Sequence, residues 1–171
     1  MTTGTVPTQG TKLYMIDTVS QTDPTVVKMA CPTGVTGVGA GAKDQVETTC
    51  LDTLQDKEYA AGLGNPGPIS VPFNLIPREF SHQNLFELKR RGTTLAWMLV
   101  FADNEDDPGN EAFTPTLDTD DTFVVPTDRS TVTFNAYVSE VALDIATNEI
   151  VRGTLTLQRS GAEVFTAYTP S

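Results

Sequence analysis

The chain has 171 residues, 39% of them hydrophobic, and sets 22 acidic side chains against 11 basic ones for a formal charge of −11. That is about one domain's length, its apolar share supports a packed core and excludes wholesale disorder, and no apolar run approaches the roughly 20 residues of a membrane-spanning helix. A net-negative chain is poorly placed to displace counterions from a phosphate backbone, which disfavours tight nucleic-acid binding.

Residues 1–10 are Thr, Gly, Pro and Gln with one Val, a composition that packs poorly and predicts a flexible arm ahead of a single domain over 11–171. The threonine-rich start has no basic-then-apolar secretory pattern. Runs rich in β-branched residues and bounded by turn formers predict strands at 12–17, 26–30, 43–49, 69–75, 95–101, 123–125, 131–145 and 150–158. With 27 threonines and one convincing helix, the class is mainly β, a barrel or sandwich. The helix spans 81–91. Ser81 can cap it, Leu85, Phe86 and Leu88 form an apolar stripe, Lys89, Arg90 and Arg91 complement the C-terminal dipole, and Gly92 ends it. A lone short helix beside a β-barrel has to lie across an end or edge to bury its stripe, as a lid or plug.

Residues 51–68 (LDTLQDKEYAAGLGNPGP) show no sustained period of either kind, and loops of that length are usually functional or disordered. No internal repeat is present. Nine carboxylates lie between Asp103 and Asp128 with no Lys or Arg among them, leaving thirteen acids to face eleven bases elsewhere. Such a loop self-repels and is expected to stay solvated.

The C-terminal stretch carries the most physical information. Apolar residues occupy even positions from Val132 to Val138 and odd ones from Val141 to Ile145, so the buried face changes near Ser139 and Glu140, which predicts a bulge or a passage between sheets. A three-residue turn, Ala146-Thr147-Asn148 with Asn148 left-handed, pairs residues whose numbers sum to 294. Val141, Leu143, Val151, Gly153 and Leu155 then share one face. Glu140, Asp144, Arg152, Thr154 and Thr156 share the opposite, wet one.

The familiar chemical motifs fail on context. Gly37–Ala42 fits a dinucleotide fingerprint formally, but a strand rather than a helix follows it, which favours a flexible Gly-rich hairpin tip. In the acidic run from Asp103, Pro108 stands where a calcium loop needs Gly and Thr114 where it needs a bidentate Glu. His82, the sole histidine, sits at a helix start, where such residues are usually exposed, and neither Cys31 nor Cys50 has a nucleophile turn or an oxyanion loop beside it. The two cysteines read as buried or idle thiols in a reducing compartment. Paired-carboxylate hydrolysis wants aromatic platforms, which one Trp and four Tyr support thinly. The reading is a chain with no catalytic residue, no metal and no cofactor.

The order of features is a polar arm, a strand Gly10-Thr11-Lys12-Leu13-Tyr14, a long loop after Thr48-Thr49-Cys50-Leu51-Asp52, and a strand ending Phe73-Asn74-Leu75-Ile76-Pro77. The helix His82-Gln83-Asn84-Leu85-Phe86-Glu87-Leu88, a strand at 95–101 and the hairpin 136–157 follow. Over residues 10–160 this resembles the major tail tube proteins of long, non-contractile bacteriophage tails, the lambda-like group. The resemblance implies the phage tail tube fold, homohexameric rings stacked into a hollow tube, and passage of phage DNA through the bore without tight binding. Tape measure, tail tip and tail terminator proteins are the implied partners in a virion tail assembled in the host cytoplasm, with no membrane. It implies an inner barrel built from two hairpins per subunit, here the strands around 26–49 and 131–158. Candidate lumen residues are therefore Glu47, Glu140, Asp144, Arg152, Thr154 and Thr156; the alternative is the ordinary solvent face of a monomeric barrel. Ring-stacking contacts would come from the arm and from the loop 51–68, with Leu51, Asp52, Leu54, Lys57, Glu58 and Tyr59 as candidates. Unlike some members, the chain carries no appended immunoglobulin-like domain. A competing reading is a carbohydrate- or receptor-binding β-sandwich module of a virion or cell-surface assembly.

Overall fold

Strands β1 (Lys12–Asp17), β2 (Thr25–Lys28), β5 (Pro68–Asn74), β6 (Leu95–Val100), β7 (Thr131–Asp144) and β8 (Arg152–Arg159) form one antiparallel sheet in the order β2-β1-β6-β7-β8-β5, and β9 (Val164–Thr166) pairs with the start of β7. A separate two-stranded ribbon joins β3 (Lys43–Glu47) to β4 (Tyr59–Gly64), and the helix α1 runs Phe80–Arg91. The computed structural model describes residues 5–20, 22–52 and 54–169; the predicted arm therefore lies partly outside the described residues.

The sheet closes on itself. Beyond β2 the chain crosses to the far edge, where Thr33 N–H donates to Pro72 O at 2.8 Å and bridges form at Pro32–Phe73 and Thr36–Ser70. Inward-pointing side chains alternate along each strand and meet in one core: Leu13 and Met15 of β1, Leu95, Trp97 and Leu99 of β6, Phe134, Ala136 and Val138 of β7, Leu155 and Leu157 of β8, and Ile69, Val71 and Phe73 of β5. Trp97 satisfies its indole N–H on Ala136 O at 3.1 Å. Gly153 lies under Phe73, so that a Cβ there would stand 2.4 Å from the ring edge. Gly153→Ala is accordingly expected to cost about 1–3 kcal/mol through overpacking, seen as a melting temperature lower by roughly 2–12 °C in a thermal unfolding scan.

The helix differs from expectation at its start and on its buried face. Its N-cap is Glu79, which makes no side-chain cap, while Ser81 is buried and accepts the Ala30 N–H at 3.2 Å. The stripe facing the barrel is Ser81, Asn84, Leu85 and Leu88 with His82, at i, i+3, i+4 and i+7; Phe86 points outward. His82, expected at the surface, is 1% exposed. Its Nε2 donates to Ala30 O at 2.8 Å and its Nδ1 accepts the Ile76 N–H at 3.0 Å, which fixes one neutral tautomer. Asn84 donates to Asp17 at 2.9 Å. Gly92 ends the helix in the left-handed conformation, as predicted.

Three other expectations give way. Residues 51–68 are not wholly irregular, since 59–64 form β4. Residues 123–125 form no strand, only a bridge between Phe123 and Leu117. The strands of 26–49 do not make a hairpin: β2 pairs with β1 and β3 with β4. The Gly-rich stretch between β2 and β3 is pinned rather than a free tip. Gly67 N–H donates to Ala40 O at 2.9 Å, and Gly41, at φ +130°, passes so close to Asn65 O that a Cβ would stand 2.2 Å from it.

Candidate assembly surfaces

The C-terminal hairpin has the predicted phase change, a bulge between Val138 and Glu140. Above it the paired residues sum to 296, not 294, because the connection runs over seven residues, 145–151, with Asn148 left-handed at φ 61°. A slip of two preserves the faces. Glu140 pairs with Thr156, Ala142 with Thr154 and Asp144 with Arg152, so five of the six candidate lumen residues share one polar face. Through β5 this face continues to Ser70, Pro72 and Asn74. Arg152 and Asp144 stand directly opposite each other, a favourable cross-strand pair, and Arg152 also reaches Glu149 at 3.8 Å. Glu47 is not brought to this face; it lies on the separate ribbon, opposite Tyr59 and 3.2 Å from Lys57.

That ribbon contributes nothing to the barrel core. Every residue of β3 and all of β4 except half-buried Gly62 are exposed. Its far end holds Leu51 and Leu54, at 108% and 99% exposure, together with Asp52, Lys57 and Glu58; Tyr59 opens β4. A two-stranded ribbon without a hydrophobic face packed on something is marginal in water, and this one carries two leucines fully in solvent. Both cysteines are free and exposed, so neither is a buried thiol.

The acidic segment is anchored, contrary to the expectation of a freely solvated loop. Seven of its nine carboxylates are exposed, but Asp103 and Asp107 are half-buried and the segment folds about the buried Arg129. That guanidinium donates to Asp107 at 3.1 Å, to Asn110 at 2.6 Å and, through Nε and Nη2, to Asp128 at 3.0 and 2.7 Å, while lying 4.2 Å over the Phe113 ring. Phe113 and Phe123 cover a second apolar cluster, Tyr14, Met98 and Val100, on the outside of β1 and β6. Buried Asn110 donates to Gly10 O at 2.9 Å and Phe101 O at 3.0 Å and accepts from Lys12 through its carbonyl. The Ala112 N–H, then Arg129, holds the Asp107 carboxyl below its ordinary range; Arg129 does the same for Asp128, and the Thr122 N–H and hydroxyl for Asp118. Neither Arg129 nor Asn110 stood out in the sequence. The available signal was that Arg129 is the first cation after the stretch 103–128 with its nine carboxylates.

Among the described residues no group of three His, Cys, Asp or Glu side chains is placed to hold a metal ion, and no helix is long and apolar enough to cross a membrane. A closed barrel that excludes its second ribbon from the core, and holds two leucines out into solvent on it, has the form of a structural subunit. The chain belongs to the lambda-like phage tail tube family, whose model (Phage tail tube, TTP, lambda-like) matches residues 4–169. It is 35% identical over 161 residues to Structural protein 3 of Pseudomonas phage PAJU2, covering 93% of this chain and 92% of that one. Its fold is similar to the SPP1 tail tube protein (TM-score 0.63, 9% identity, 97% of this chain and 81% of that one) and to a chain in the C6-symmetric tail of an empty GTA particle (TM-score 0.61, 13% identity, 95% and 100%). The protein is a structural tail tube subunit of a bacteriophage, and the carbohydrate- or receptor-binding alternative finds no support in these relatives.

Proposed function

We propose that this chain is the major, repeating subunit of a long non-contractile tail: six copies close into a ring, rings stack, and phage DNA passes through the bore. The observation that carries the reading beyond family membership is the ribbon 43–64, which the fold holds outside its own core with its strands and leucines exposed. The β7–β8 face with Glu140, Asp144, Arg152, Thr154 and Thr156 lines the bore. Glu47 joins it if the exposed ribbon completes the inner barrel. A wall with carboxylates and hydroxyls offers few phosphate contacts, so DNA slides without sticking. The ribbon tip and the arm make ring-to-ring contacts. Tape measure, tail tip and terminator proteins bound the polymer at its ends, and assembly takes place in the host cytoplasm. The work is shape and charge, with no catalysis.

Concentrated protein imaged by negative-stain electron microscopy is expected to show rings or hollow tubes. A Glu140→Lys variant, which leaves the Asp144–Arg152 pair intact, is expected to assemble equally well, but its tubes should retain short duplex DNA at about 0.1 M salt and release it as salt rises, because added phosphate contacts steepen the salt dependence. Binding unchanged from the parent would remove this face from the bore; a persistent monomer at every concentration would sink the tube reading.

A further inference from the structure

Between the segment 6–12 and the stretch 28–36 that closes the barrel lies a groove of about 750 Å³. Its apolar lining includes Val6, Met29, Val35, Leu99 and Phe101. Among the described residues, the charged side chains lining it are Lys12 and Lys28. Burial, and then the nearness of Lys28, hold the Lys12 ammonium below its ordinary range although Asp107 and Glu111 act the other way, and Lys12 donates to the Asn110 backbone carbonyl. Lys28 is exposed and makes no ion pair among the described residues.

The ribbon tip is the complement of this groove in both respects. Leu51 and Leu54 are fully exposed, so the tip does not occupy its own chain's groove. Asp52 and Asp56 flank them, and neither is ion-paired among the described residues. We propose that the ribbon tip of one copy seats in this groove of a second copy, with Leu51 and Leu54 on the apolar lining and Asp52 and Asp56 facing Lys12 and Lys28. The inference rests on the tube reading and names the receiving surface within it. Because tip and groove are different surfaces of one chain, the contact is heterologous and repeats along an open polymer instead of closing as a dimer.

The chain carries its own reporter. Cys31 lines the groove and Cys50 precedes Leu51, and both thiols are exposed. Assembled full-length protein treated with a short bismaleimide crosslinker is expected to give a ladder of covalent dimers, trimers and larger species, lost in both Cys31→Ser and Cys50→Ser. Lys28→Glu is expected to reduce ladder and tube yield at least tenfold with an unchanged melting temperature, and adding Asp52→Lys to restore them. Tubes that form without a ladder, a ladder or dimer that persists in Cys31→Ser, a crosslink confined within one chain, or a Lys28→Glu variant that assembles like the parent would each overturn the pairing while leaving the tube reading standing. Absence of any ring or tube in the unmodified protein overturns both.

Discussion

Replacing residues 48–58 with a two-residue Asn-Gly turn is expected to give a monomer that melts at the parent's temperature and forms no tubes. The strands on either side end at Glu47 and begin again at Tyr59, which are register partners, and a type I′ Asn-Gly turn suits the twist of such a ribbon. Stability should not change, because no residue of 43–64 belongs to the core cluster. Assembly should, because burying Leu51 and Leu54 from full exposure yields about 1.5–3 kcal/mol each. That amounts to a factor of roughly 10²–10⁴ in each contact's equilibrium constant, repeated at every subunit of a ring. Sedimentation velocity, electron microscopy and a thermal scan together check the prediction. A deletion variant that still polymerises would move the stacking contacts elsewhere, and one that melts early would show the tip to be part of the fold.

Arg129→Met, at a buried position, is expected to lower stability by about 2–4 kcal/mol. Removing one member of a buried ionic cluster typically costs ~3–5 kcal/mol because its partners are left desolvated; the half-exposure of Asp128 (52% of its side chain) reduces that figure. At about 2–4 °C per kcal/mol for a chain of this size, the melting temperature falls by roughly 4–16 °C. Arg129→Lys should rescue little, since one ammonium cannot serve Asp107, Asp128 and Asn110 at once in the geometry of a guanidinium. Acid should have a related effect. Asp107 and Asp128 are depressed in the folded state, so the unfolded chain binds more protons below the ordinary carboxylate range near ~4. The stabilisation is complete above that range and is lost as the pH falls through the lower folded values. Melting temperatures between pH 6 and 2.5 should therefore decline more steeply in the parent than in Arg129→Met; parallel curves would show that the acid sensitivity arises elsewhere.

Much of the barrel was legible because buried strands announce themselves. Residues 13–16 form a short continuous apolar run, as a strand buried on both faces requires, and the switch of apolar parity at Ser139 located the bulge that the structure has between Val138 and Glu140. The turn length was misjudged, yet the polar face came out right because a shift of two leaves parity intact. What failed was set by tertiary context. Tyr59–Gly64, with two alanines and two glycines, has little β propensity, and being exposed on both faces it needs no alternation. His82 is buried only because Ala30, 52 residues away, and the Ile76 amide both need its ring. The hairpin assigned to 26–49 ignored the crossing of residues 32–36 to β5, which no local pattern encodes. Of the candidate assembly residues, the β7–β8 set was readable from parity alone, and the exposed tip was readable as a segment without periodicity. Its leucines' full exposure was not.

The contacts of Asn110 also couple the acidic loop to the groove. Its side chain holds Gly10 O across 100 residues of sequence, its carbonyl takes the Lys12 ammonium, and a Cβ on Gly10 would stand 2.2 Å from Gly109 Cα. The segment around Gly10 is therefore held in place by Asn110, which Arg129 in turn holds within the acidic loop. Since that segment forms one side of the groove, the shape of the groove depends on the acidic loop that Arg129 gathers, 117 residues after Lys12 in sequence but beside it in space.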